Sequence, residues 1–411
     1  VPSHSATKGD AVTTSELVFD PFSQEFFDDP QPIYRRMRDE APVYYNPEYD
    51  FYALTRHADV AAAFKDFETY TSTRGVDLQA VKSVEPPPMS IIMMDPPEHR
   101  RMRSLVNKVF TPRAMSHQQE MVTEQIDRFL GAVKTDVFDV VQDFAALFPI
   151  EFIAQMLGVP AEQRQQIRHW VDITLEREIG SMEVPESSMN AAIETGMFYY
   201  NLIQERRAEL QDDMLSDLIR AKVERDAGGE TQLDDIEITG FATLLGGAGA
   251  ETVTKLVGSA IVTFADHPDQ WQKLLDDRSK IPAAVEELLR YIGPVQYNVR
   301  CSLKQVHLHG VTIPAGKPVF LIGASANRDS EAFTDADVFD IDRDRAEAQN
   351  LGLGYGVHSC LGAALARMET RIALERLLDF MPRYELQRDG LKRVVMINVS
   401  GWSHVPVRVL R

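Results

Sequence analysis

Residues 351–362 read Leu-Gly-Leu-Gly-Tyr-Gly-Val-His-Ser-Cys-Leu-Gly, and Ala363-Ala364-Leu365-Ala366-Arg367 follows as a strong helix-forming run. Gly352, Gly354 and Gly356 let the backbone curl and approach a ligand without Cβ clashes. Cys360 is placed by this pattern at a helix start, where unpaired N–H groups and the positive dipole end favour a sulfur anion. The expectation is a thiol of low pKa with open space on one side, the ligand that haem iron takes in its thiolate proteins.

A second constellation is Ala248-Gly249-Ala250-Glu251-Thr252, inside a long apolar run. Small residues in mid-helix let a flat ligand come close. A threonine hydroxyl there bonds back to the preceding turn or turns outward to donate. A helix-packing notch with Glu251 on a solvated side explains the same residues equally well. Glu287 and Arg290 share a helix face at i, i+3, as do Glu286 and Arg290 at i, i+4, and spacing alone does not choose between them. His99 and Arg103, four apart, with Arg300 and His358, suit the two buried propionates that a haem brings, although each alone reads more readily as a satisfied surface residue.

The elements that must position these residues are mostly helical. Helix is expected over 99–110, from the 115 region to 133, and through most of 160–223. Another helix is expected over about 234–266, roughly 50 Å long at about 1.5 Å per residue, and one more from Pro282, a favoured first-turn residue, to 291. A hairpin is expected over 42–55, a long loop over 71–94, strands over 306–325 with a turn at Pro314-Ala315-Gly316, and β structure in the last thirty residues. The fold class is mainly α with small β-sheets (α+β). Ser, Thr and small residues make 1–20 a flexible arm, and 21–411 shows no linker, repeat or low-complexity run that would divide it.

Composition narrows the function. A net charge of -19 in 411 residues excludes nucleic acid as a partner class. The most apolar stretch, 144–159, is broken by Glu151 and Gln155 and is too short to span a bilayer. No basic region followed by an apolar run marks a secretory signal. The two cysteines, Cys301 and Cys360, give no disulfide framework and point to a reducing compartment. A cytoplasmic protein of bacterial type is expected.

The ordered Gly-x-Gly-x-His-x-Cys-x-Gly array resembles the haem-binding loop of the cytochrome P-450 family, the haem-thiolate monooxygenases. One residue departs: the family's usual Phe seven places before the cysteine is Leu353 here. The resemblance spans nearly the whole chain, from about residue 43 to the end, and includes Ala326-Asn327-Arg328-Asp329. It implies the cytochrome P-450 fold, with a long central helix over haem b (iron protoporphyrin IX) and the cysteine loop beneath. By it, Cys360 is the iron ligand, and Ala248, Leu353, Gly354 and Gly362 contact the cofactor. His99 and Arg103, after Asp95-Pro96-Pro97, join Arg300 and His358 as propionate partners. Thr252 and Glu251 deliver protons during oxygen activation. Glu287 and Arg290 form a structural pair tied to the 339–343 stretch.

The reaction so implied inserts one atom of O2 into a C–H bond, with electrons from a ferredoxin and its ferredoxin reductase, in a monomer. Arg100, Arg101, Arg103, Lys108 and Arg113, with Arg367, Arg371 and Arg376, are expected to form a basic docking patch for that acidic partner. Met89, Ile91, Ile92, Met93, Leu244, Val295 and Val299 suggest an apolar substrate (lipid, terpenoid, steroid or aromatic), with Gln296 and Asn298 orienting it. Three other readings stay open. They are a peroxide-driven haem-thiolate enzyme, a gas- or ligand-binding haem protein, and a cysteine hydrolase using Cys360 with His358.

Overall fold

The longest run of apolar and small residues becomes the axis of the molecule. In the computed structural model, which describes residues 16–85, 89–107, 110–224 and 229–411, this run forms one 32-residue helix, Asp235–Asp266. Asp234 caps it reciprocally: Glu237 N–H donates to Asp234 Oδ1 at 2.8 Å, and Asp234 N–H donates to Glu237 Oε2 at 2.9 Å. From Val253 to Phe264 every side chain is buried, so protein surrounds this stretch of the helix on all sides.

Seven helices matter for the site. They are α1 (Glu98–Asn107), α2 (Phe148–Leu157), α3 (Arg164–Leu175), α4 (Glu186–Ala208), α5 (the axial helix Asp235–Asp266), α6 (Ile281–Tyr291) and α7 (Ala363–Phe380). Helices α2, α3 and α4 pack on one stretch of α5, and α7 packs on α5 and α6. The main hydrophobic core lies among them, around Phe144, Phe148, Leu256, Val257 and Leu374.

A five-stranded sheet flanks this bundle. Its strands are β1 (Val43–Asn46), β2 (Phe51–Leu54), β3 (Tyr70–Thr71), β4 (Asn298–Ser302) and β5 (Pro318–Leu321), in the order β1-β2-β5-β4-β3. The hairpin forms as expected, with Val43 opposite Leu54. β5 runs antiparallel to β4, pairing Arg300 with Val319.

Several boundaries differ from expectation. The end of the supposed arm is ordered, because Phe19 is 1% exposed and packs edge-on to Phe26 and Phe51 at 6.0 Å. Burying such a ring is worth about 1.5–3 kcal/mol, enough to dock the chain there. Residues 1–15, the rest of that arm, lie outside the described residues. The long loop over 71–94 contains a helix at Leu78–Lys82, capped by Asp77, and a 3-10 turn at Ile91–Met93. Strand stops at Leu321, and Gly323–Ala326 is a helical turn. Among the described residues, no helix is long and apolar enough to cross a membrane.

Candidate active site

The cysteine loop is a series of tight turns held from both ends. Cys360 N–H donates to the Leu353 carbonyl at 2.8 Å, and Gly354 N–H to that of Leu351 at 2.9 Å. Gly356 has φ +73°, and a Cβ there would lie 2.5 Å from the Phe64 carbonyl oxygen, so only glycine fits. Arg103 reaches over from α1 and donates to the carbonyls of Val357 (3.0 Å) and Ser359 (2.5 Å).

The helix start lies later than the sequence suggests. Gly362 is the N-cap and α7 begins at Ala363, so Cys360 precedes the first helical turn. The low thiol pKa is also corrected: burial pushes the Cys360 thiol up, against the Gly362 N–H, Arg103 and Arg367, which act to lower it. The sulfur is deep in the protein yet accessible, because it faces an internal cavity. A coordinated metal cation, which deprotonates a thiol outright, supplies what this environment lacks.

Facing the cysteine across that cavity is α5. Ala248, Gly249, Thr252 and Val253 form one wall of a space of about 200 Å³, and His358, Cys360, Gly362 and Ala366 form the other. A second space of about 220 Å³ shares Ala248, Thr252, His358 and Cys360 and is closed by Leu353 and Gly354. A Cβ on Gly362 would meet nothing within 4 Å. Thr252 Oγ1 donates to the Ala248 carbonyl at 3.0 Å. Glu251, its neighbour, is 2% exposed rather than solvated, and its Oε2 lies 2.8 Å from Lys255 Nζ. Burial alone would raise the Glu251 pKa, but the neighbouring Asp172 carboxyl and the Lys255 charge hold it below the usual value.

One end of the cavity is rich in cations and poor in anions. The His99 and His358 rings lie 4.3 Å apart, and His358 Nε2 is 3.2 Å from Ser72 Oγ. His99 Nδ1 is buried without a hydrogen-bond partner. Arg300 is 6% exposed, and among the described residues its one hydrogen bond goes to its neighbour's carbonyl, Val299, at 2.8 Å. Burial brings its pKa down to about 10, with Asp95 opposing. Burial, then the Arg300 charge, presses His358 down to about 3; burial, then Arg103, presses His99 down to about 4. Buried cationic groups without counter-ions are costly. A ligand bearing two carboxylates beside a flat apolar ring repairs this deficit, so these residues fit haem.

Glu287 and Arg290 make a buried bidentate pair, at 2.8 Å and 2.7 Å, and this resolves the choice that spacing left open. Arg290 also donates to the carbonyls of Asn327, Ala336 and Val338, while Glu287 accepts from Asp340 N–H and Arg343. Glu286 instead meets Arg367, Nε to Oε1 at 2.5 Å.

The expected substrate residues divide. Ile92 and Leu244 line the first space, and Val295 and Asn298 the second. Met89 is half-exposed and lines neither. Val299 faces the opposite side of β4, packed in a separate aromatic core, as strand alternation from Asn298 requires. Gln296 is buried, its amide donating to the Gly293 carbonyl at 3.1 Å, which makes it a brace for the turn before β4.

Sequence reasoning missed Glu369, which lines the first space from α7 with neither carboxylate oxygen hydrogen-bonded. Burial raises its pKa well above the usual range. An acid nine residues past the cysteine, in step with buried Leu365 and Ile372, was the available signal. Lys255 was missed too, although it sits one turn beyond Glu251. The expected basic patch is largely paired: Arg101 with Glu98, Arg367 with Glu286, Arg371 with Glu375 and Arg376 with Asp127. Lys108 lies outside the described residues.

Comparison with known proteins gives the family. The family model described as Cytochrome P450 matches residues 186–398. A putative cytochrome P450 123 of Mycobacterium tuberculosis (strain ATCC 25618 / H37Rv) is 40% identical over 397 residues, covering 96% of this chain and 97% of that protein. The vitamin D(3) 25-hydroxylase of Pseudonocardia autotrophica is 36% identical over 406 residues, covering 96% of this chain and 97% of that one. Among solved structures, CYP109E1 from Bacillus megaterium in complex with testosterone aligns with a TM-score of 0.84 at 31% identity, covering 93% of this chain and 98% of that chain. The chain belongs to the cytochrome P450 family and is a monooxygenase with haem b as its prosthetic group.

Proposed function

We propose that the protein hydroxylates an apolar small molecule of steroid-like size at a C–H bond, taking electrons from a ferredoxin that a ferredoxin reductase reduces. One atom of O2 enters the substrate and the other leaves as water, so each turnover consumes two electrons and two protons. Haem, when bound, would supply the redox and oxygen-activating chemistry, and the Cys360 thiolate would hold it.

The chain's own residues do the rest. Arg103 and Arg300 would neutralise the propionates, the neutral imidazoles of His99 and His358 would hydrogen-bond them, and the loop from Leu353 to Gly362 holds the sulfur. Ile91, Ile92, Leu244 and Leu245 exclude water and bind the substrate by its apolar surface, and Asn298 orients it. The Thr252 hydroxyl rotates between the Ala248 carbonyl and the cavity, and hands inward a proton that Glu251 replaces.

The single observation that carries this reading is one apolar space bounded by Thr252 on one side and Cys360 on the other. The steroid-like size is supported by the relative that acts on vitamin D(3) and by the neighbour that holds testosterone. A groove of about 630 Å³, lined by Phe110, Met115, Arg345, Leu361 and Arg367, reaches Cys360 from outside and suits ferredoxin docking.

Steroids and secosteroids titrated into the purified protein should shift the haem toward high spin. Turnover under 18O2 with a ferredoxin and its reductase should then give a product carrying one labelled oxygen. A panel that leaves the spectrum unmoved would overturn the substrate class. Turnover supported by peroxide but never by the electron-transfer proteins would favour a peroxide-driven enzyme.

A further inference from the structure

Glu251 does not face water, so the protons it delivers must reach it through another group. Opposite it, on α3, stands Asp172, whose Oδ2 accepts from Arg168 Nη1 at 3.0 Å. Its other oxygen, Oδ1, is buried with no hydrogen-bond partner, and so is Glu251 Oε2, whose contact with Lys255 is an ion pair without hydrogen-bond geometry. Two carboxyl groups with bare oxygens meet across the α3–α5 contact, open to solvent on the Asp172 side alone. Lys255 and Arg168 offset part of the repulsion, and a proton between the two carboxyls turns that contact attractive. The Asp172 side chain keeps 27% of its surface open, whereas that of Glu251 keeps 2%.

We infer that Asp172 is the outer proton carrier of this site: it takes protons from solvent and passes them across the α3–α5 contact to Glu251, and so toward Thr252. In each transfer the Asp172 O–H bond breaks as the Glu251 O–H bond forms, no electrons move, and water reprotonates the Asp172 carboxylate. The inference rests on the relay role of Thr252 and Glu251 and adds to it a group from a different helix.

The protonation states suit the direction of transfer. Burial, then the neighbouring Glu251 carboxylate, push the Asp172 pKa up to about 8, against Lys255 and Arg168, the cations that face it. Asp172 therefore holds its proton at neutral pH while Glu251 is ionised and ready to accept. Because the raised pKa belongs to an acid, the donor form is present below about pH 8 and is lost as pH rises through it.

The test is Asp172→Asn in the haem-loaded protein. An amide keeps the shape and can still donate to Glu251, so the CO spectrum and substrate-induced spin shift should match wild type. A wild-type-minus-variant infrared spectrum should show a carboxylic-acid C=O band near neutral pH that fades as pH rises through about 8. Product formation should fall at least about tenfold, with electrons diverted to peroxide, and Asp172→Glu should recover much of the loss. Absence of the acid band, or wild-type coupling in Asp172→Asn, would overturn the inference. Thr252→Ala separates the two levels. If it uncouples turnover while Asp172→Asn does not, the relay stands and Asp172 is only a latch between helices. If Thr252→Ala leaves coupling intact, the relay falls and this inference falls with it.

Discussion

Thr252 is the side chain whose removal separates binding from chemistry most cleanly. Thr252→Ala removes one hydroxyl from a helix that loses only a hydrogen bond back to Ala248, so haem content and substrate affinity should be unchanged. Product per electron pair should drop by about tenfold or more while peroxide rises, as expected when a positioned proton donor is lost; oxygen uptake beside product yield measures it. Arg300→Leu should instead weaken haem retention, because a propionate loses its buried cation; spectrophotometric haem transfer to apomyoglobin reads the rate. At this scale the sequence was legible wherever chemistry is written locally. The Cys360 loop and the Glu251-Thr252 pair are adjacent residues with fixed turn or helix geometry. Asp172 is not legible, since 79 positions separate it from Glu251 and only the packing of α3 on α5 brings them together.

Helices and strands decide which of these side chains face the cavity. Val299 and Gln296 were expected there and are absent, because strand alternation and the bend before β4 turn them away. That depends on the pairing of β4 with β5, which composition does not reveal. The start of α7 lies later than expected because a 3-10 turn, Gly356–His358, ends before Cys360 and the helix cap falls at Gly362. Glu287 on α6 forms a knot with Arg290, Arg343 and the Asp340 N–H. Glu287→Gln leaves a buried guanidinium uncompensated and should cost about 3–5 kcal/mol, seen as a lower denaturant midpoint and poor haem incorporation. Gly356→Ala faces both an unfavourable positive φ and the Phe64 carbonyl. It should destabilise by more than the roughly 1 kcal/mol typical of glycine backbone changes, with thermal unfolding of the holoprotein as the measure.

Over the whole molecule, charge is the property that bears on the proposed ferredoxin partner. The protein is strongly acidic, and the arginines around the outer groove are mostly neutralised by neighbouring carboxylates, a pairing across helices that a one-dimensional charge count misses. Exposed Arg113, with no ion pair among the described residues, remains at the groove's edge beside Pro112. Arg113→Glu should raise the KM for ferredoxin several-fold and leave reduction by dithionite untouched. Added salt should act in the same direction through screening. The ligation of haem by the Cys360 thiolate is the first thing to measure. The dithionite-reduced protein with CO should show the strongly red-shifted Soret band of thiolate-ligated haem, and Cys360→Ala should abolish it. A histidine-type band in the wild type, or the same red-shifted band surviving in Cys360→Ala, would contradict the account.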